Sequence, residues 1–173
     1  MTAFDPAQHR MVPEQRWFDD FRIGERFVLP SRTMTEAVFL AFQAASGDAH
    51  PIHYDVEFCK VRGMPGLLAH GLQTLAQSAP GAGLFPYMTE ESLVGFIEQS
   101  SRFRKPVFAG DTVFAWSQVI ERLDLPGRGD VGALRLRLIA TKNRPCADFP
   151  YKLDRDYDPA VILDLDYCAV MPR

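Results

Sequence analysis

Ser46-Gly47-Asp48-Ala49-His50-Pro51-Ile52-His53-Tyr54-Asp55 is the stretch on which the reading of this chain turns. It follows a helical pattern in which Ala37, Leu40, Ala41, Ala44 and Ala45 recur on one stripe. Thr33 has capping-box spacing to Glu36, Thr35 is an equally good N-cap, and Gly47 supplies the stop. Pro51 forbids a continuing helix and biases His50 toward extended backbone. Asp48 and His53 are therefore expected on a bent loop where a carboxylate and an imidazole converge. Their reference pKa values bracket neutral pH, which suits general acid/base chemistry. The plainer alternative is that Asp48 caps the turn and His53 satisfies a backbone carbonyl.

The flanking segments supply the scaffold. Residues 67–79 read as a second helix with Leu68, Leu72, Leu75, Ala76 and Ala79 as its apolar stripe, stopped by Pro80, Gly81 and Gly83. His70-Gly71 opens it, and a glycine N–H at a helix N-terminus is a ready donor to a carbonyl oxygen gaining negative charge. Strands are expected at 26–32, 93–99, 101–108, 112–123, 133–141 and 161–170, with turns at Gly110-Asp111 and 126–130. Leu134, Leu136 and Leu138 alternate with Arg135 and Arg137, which predicts an antiparallel sheet with one face buried and one wet. The fold class is thus α+β: one domain over 17–173, a curved antiparallel sheet wrapped around one long central helix. Residues 1–16 read as an extended N-terminal arm. The proline-rich loop 143–159 either caps a substrate entrance or decorates the surface. An uncovered sheet edge would be closed most simply by a second copy of the chain, at least a homodimer.

Composition narrows the function. At 173 residues with a net charge of −3, the chain has no general field to hold nucleic acid. The longest apolar run, Ala37 to Phe42, is far short of the ~20 residues of a membrane span. The N-terminus carries no basic-then-apolar signal pattern, and three widely spaced cysteines suit a reducing compartment, so a cytoplasmic location is expected.

Ser46-Gly47-Asp48-x-x-Pro51-Ile52-His53-x-Asp55 closely resembles the hydratase signature of the MaoC-like dehydratases and (R)-specific enoyl-CoA hydratases. Phe18, Phe21, Gly24 and Phe27 resemble that family's opening segment, and Leu68-Ala69-His70-Gly71 its central-helix start. Phe103-x-x-Pro106-Val107-x-x-Gly110-Asp111-Thr112-Val113 resembles its strand-turn-strand. The resemblance implies a hotdog fold, generally dimeric, and a hydro-lyase acting on enoyl or 3-hydroxyacyl thioesters of coenzyme A or an acyl carrier protein. It further implies that Asp48 and His53 hold one water, with Asp48 as base and His53 orienting it and helping proton transfer to the α-carbon. Gly71 N–H would polarise the thioester carbonyl. No metal or redox cofactor is implied.

Four groups stand beside this set. His50 replaces a usual asparagine and is either a third site group or an exposed loop histidine. His70 either orients the helix start or is a satisfied core histidine. Arg102, Arg104 and Lys105 are candidates to face the phosphates of coenzyme A or are solvated side chains. Phe85, Tyr87 and Phe96 are candidate acyl-pocket or core residues. A thioesterase-type or purely acyl-thioester-binding hotdog protein is the competing function. Against the thioesterase, no acidic residue lies on the 67–79 helix.

Overall fold

The computed structural model describes residues 14–149 and 161–173. Most of the predicted arm, residues 1–13, and residues 150–159 of the predicted loop, together with residue 160, lie outside the described residues. The elements in order are β1 (Arg26–Thr33), α1 (Glu36–Ser46), α2 (Val56–Val61), α3 (Gly71–Ser78), α4 (Phe85–Met88), β2 (Gly95–Phe103), β3 (Thr112–Leu125), β4 (Arg128–Lys142) and β5 (Val161–Pro172). The strands form one antiparallel sheet in the order β1-β3-β4-β5-β2, so β1 and β2 are its edges. Register shifts between Leu29 and Arg32 and between Val119 and Glu121 bend it, as bulges do.

The inner face is lined from every long strand. Val113, Ala115 and Val119 of β3, Leu134, Leu136 and Leu138 of β4, and Ile162 and Leu163 at the start of β5 share one core with Phe18, Phe21, Met34, Phe39 and Phe85. Gly132 admits Phe18 at close quarters: a Cβ there would lie 2.5–2.7 Å from the ring. The Arg122 and Arg173 guanidinium groups cover the same ring, 4.6 and 4.7 Å from its centroid.

The outer face is not the wet surface expected from the Leu/Arg alternation. Trp116, Ile139, Cys146, Phe149 and Val161 form a second buried cluster there. Arg26 closes it, stacking 4.1 Å from the Trp116 ring and donating to the carbonyls of Ala147 and Phe149. Arg137, expected in water, is buried and makes a two-pronged ion pair with Asp166 on the neighbouring strand. The described part of the 143–159 loop therefore covers the sheet.

The helices differ most from expectation. The central helix is only eight residues long and begins at Gly71, because Leu68 is drawn into a β-bridge with Phe108. Its apolar stripe also differs: Leu72 and Ala76 are exposed, while Gln73, Thr74 and Ser78 face inward beside Leu75. Burial of the first two is offset by backbone acceptors, Gln73 donating to the Val38 carbonyl at 2.7 Å and Thr74 to the His70 carbonyl at 3.2 Å. In α1 the inward residues are Phe39 with Val38, Phe42 and Gln43, and the five predicted stripe positions are exposed. The alanines offer little area to bury, so the aromatics set the helix's rotation. The expected strands at 93–99 and 101–108 are one strand, β2, which leaves Arg104 and Lys105 beyond its end. The short helices α2 and α4 add to the expected elements.

Candidate active site

The loop after α1 is built by local polar bonds. Gly47 takes the left-handed conformation (φ 74°) and its N–H closes the helix on the Gln43 carbonyl. Ser46 Oγ then accepts from Asp48 N–H, and Asp48 Oδ1 accepts from His50 N–H at 3.4 Å. His50 Nδ1 accepts from Ile52 N–H and starts a single 3-10 turn, Pro51–His53. Asp55 Oδ1 accepts from Phe58 N–H and starts α2. This chain of caps turns His53 inward, where it is 9% exposed, and leaves the Asp48 side chain half exposed beside it.

His53 Nδ1 lies 2.6 Å from the Leu68 carbonyl oxygen. A carbonyl only accepts, so Nδ1 carries the hydrogen and Nε2 of the neutral ring carries the lone pair. Nε2 faces Asp48 Oδ2 at 3.8 Å, too long for a direct bond and suited to a bridging water. Burial pushes the His53 imidazole below the ordinary histidine value, with the nearby His70 and His50 acting the same way and the Leu68 carbonyl and Asp48 opposing.

His70 and Gly71 stand opposite. The His70 ring stacks on His53 with centroids 3.6 Å apart and planes at 21°, and its Nε2 donates to the Asp48 carbonyl at 3.0 Å. Gly71 is the first residue of α3, where a backbone N–H has no acceptor within the helix. The Phe103 ring packs over it, 3.4–3.6 Å from where a Cβ would stand. A cavity of about 350 Å³ opens beside Gly71, lined by Thr74, Phe103, Arg104 and Lys105 among others. A second, of about 280 Å³, runs along His53, Tyr54, Leu67, Phe39 and Gln43.

Of the residues singled out in the sequence, Asp48, His53 and His70 come together, and Gly71 follows His70 directly. Arg104 and Lys105 line the cavity beside Gly71, whereas Arg102 lies exposed on β2. His50 is exposed, its ring 6.3 Å from that of His53, and it serves the turn. Phe85 belongs to the core, and Tyr87 and Phe96 are exposed. The Leu68 carbonyl and the Phe103 ring carry parts of the site that the sequence does not assign to it. A backbone carbonyl leaves no mark in a sequence, and Phe103 stands there only as part of a strand motif.

Asp48, His53 and His70 each offer a potential metal-ligand atom, all within 4.8 Å of one another. Two stacked imidazoles direct their in-plane lone pairs along nearly parallel planes. They cannot converge on one ion at about 2 Å.

A five-stranded curved antiparallel sheet packed on a short helix defines a hotdog domain. A Mycobacterium tuberculosis protein described as having a double hotdog fold aligns with TM-score 0.69 and 26% identity, over 91% of this chain and 44% of that one. A monoamine oxidase regulatory protein from Archaeoglobus aligns with TM-score 0.79 and 25% identity, over 95% of this chain and 99% of that one. The family model for the MaoC like domain matches residues 20–132, and the chain belongs to that family. Beta-methylmalyl-CoA dehydratase of Chloroflexus aurantiacus is 35% identical over 160 residues, 90% of this chain and 44% of the relative. Mesaconyl-CoA hydratase of Cereibacter sphaeroides is 50% identical over 68 residues, 39% of this chain and 20% of the relative. The chain thus spans less than half the length of these two relatives.

Proposed function

We propose that the chain is a hydro-lyase that adds water to an enoyl thioester of coenzyme A, or removes it from the 3-hydroxyacyl product. The observation that carries this is the 3.8 Å gap between Asp48 Oδ2 and His53 Nε2, with the His53 tautomer set by the Leu68 carbonyl. Water held there meets two acceptors. The Nε2 lone pair takes a proton as the water oxygen bonds to the β-carbon, and Asp48 orients the water through its other hydrogen. This division is the reverse of the one suggested by the family resemblance, and the tautomer is the reason. The electron pair of the double bond moves toward the thioester carbonyl, whose oxygen is stabilised by Gly71 N–H at the start of α3. The proton on Nε2 then passes to the α-carbon from the same face, completing a syn addition with no metal or redox cofactor taking part.

Arg104 and Lys105, beside the Gly71 cavity, suit the phosphates of coenzyme A. The names of the two curated relatives support short, branched dicarboxylic acyl groups, mesaconyl-type, as the first substrates to try. We also infer a homodimer along edge strand β2, where Phe96, Ile97 and Phe103 are about half exposed or more. Three free, buried cysteines support a reducing, cytoplasmic setting, and among the described residues no helix is long and apolar enough to cross a membrane.

The test is loss of enoyl absorbance with crotonyl-CoA and mesaconyl-CoA, with free thiol followed in parallel. Hydration without thiol release is expected. Thiol release alone would make the chain a thioesterase and sink the proposal.

A further inference from the structure

We propose that His70 is a positioning residue that holds both members of the acid/base pair, gripping Asp48 by its backbone and His53 by its ring face. The inference rests on the hydratase reading above and adds a residue that acts through the other two. Three contacts carry it. The His70 Nε2–H donates to the Asp48 carbonyl at 3.0 Å across 22 positions of sequence. Its ring lies 3.6 Å from the His53 ring at an interplanar angle of 21°. Its own carbonyl accepts from Thr74 N–H at 3.0 Å and from Thr74 Oγ at 3.2 Å, tying it to the first turn of α3.

One residue therefore joins the loop bearing Asp48, the turn bearing His53 and the helix start bearing Gly71. Displacement of its ring would alter the spacing among all three. Phe42 backs the ring at 5.0 Å, and His70 is 2% exposed, so the ring has little room to move. Its Nδ1 is buried with no hydrogen-bond partner among the described residues. A side chain present only to fill space would do better without that nitrogen. The nitrogen on the other side of the ring, which grips Asp48, is the reason to have an imidazole there.

His70 also shapes the environment of His53. The groups facing His53 are Asp48 and His50 on its own loop, the Leu68 carbonyl, and the His70 ring. By covering one face, His70 adds to the burial that holds the His53 base neutral.

The two contacts separate by substitution. His70→Phe keeps a ring over His53 and loses the donor to Asp48. His70→Gln places an amide N–H about where Nε2 stood and loses the ring. For His70→Phe, kcat should fall by about a hundredfold with KM little changed, the size of effect expected when a reacting group moves by about 1 Å. For His70→Gln, kcat should be better preserved, while the acid limb of kcat/KM moves to higher pH as water reaches the His53 face. The His53 ring titration, followed by imidazole NMR in the substrate-free protein, should move the same way. Circular dichroism and thermal melts establish that each variant is folded. Folded variants that leave kcat, the acid limb and the His53 titration unchanged would overturn the inference. Should the wild type hydrate no thioester, the hydratase reading falls separately. The NMR titration then still decides whether His70 is coupled to His53: a shift in His70→Gln supports the coupling and no shift ends it.

Discussion

Two of the three Gly-Asp dipeptides of this chain sit at turns, Gly47-Asp48 after α1 and Gly110-Asp111 before β3, whereas Gly129-Asp130 lies within β4. Both turn glycines have positive φ, 74° and 94°, so the backbone device is the same. The carboxylates differ. Asp111 is largely buried and accepts from Phe108 N–H at 2.9 Å, the Lys142 ammonium at 3.1 Å and the Asn143 amide at 2.6 Å. Burial works against its charge, but these three donors prevail and hold the carboxyl below the ordinary aspartate value. Asp48 is half exposed, accepts only from His50 N–H at 3.4 Å among the described residues, and turns its other oxygen to His53. A carboxylate whose lone pairs are saturated by protein donors holds structure together. One whose lone pairs are left open can engage a water and a substrate.

The same substitution at both positions should separate the two roles. Asp48→Asn is expected to lower kcat/KM for enoyl-CoA hydration by about a hundredfold, the size expected when the attacking water is no longer held in line, while leaving the melting temperature near wild type. Asp111→Asn should do the reverse, costing about 2–3 kcal/mol in denaturant unfolding through the lost charge-assisted bonds, with the folded fraction still active. If Asp48→Asn unfolds the chain and Asp111→Asn silences it, the two carboxylates do not divide the work in this way.

Acid should bring out the same difference. Because the folded-state pKa of Asp111 is lowered, its stabilising contribution is fully present above the ordinary carboxylate value. It is lost as pH falls from about 4 through the lowered value. Unfolding free energy measured across that range should therefore fall less steeply in Asp111→Asn than in wild type. The smallest effect concerns the glycines. A Cβ at either position would meet no atom within 4 Å, so Gly47→Ala and Gly110→Ala should each cost only the backbone strain, about 1–2 kcal/mol. Only Gly47→Ala should also lower turnover, since it alone shifts Asp48.

The legible parts of this protein are those set by local chemistry. Gly47, Pro51 and the Ser46 to Asp55 spacing announce a bent loop carrying Asp48 and His53. The alternation of Leu134, Leu136 and Leu138 announces the inner face of β4. The helix faces are not legible from apolar spacing alone, because it weights small and large residues alike: Ala37, Ala41, Ala44 and Ala45 are exposed, and Phe39 faces the core. The outer sheet face escapes the pattern because Arg137 and Trp116 are buried by partners distant in sequence, Asp166 and Arg26.

Sequence by itself determined the sheet-forming alternation, the glycine and proline stops, and the pairing of one carboxylate with one imidazole on a loop, because each depends on neighbours within a few residues. Tertiary structure alone decided which nitrogen of His53 carries the proton, that His70 stacks on it, and that Phe103 packs over Gly71. Those contacts span 15, 17 and 32 positions, and they form only when the sheet brings the segments together.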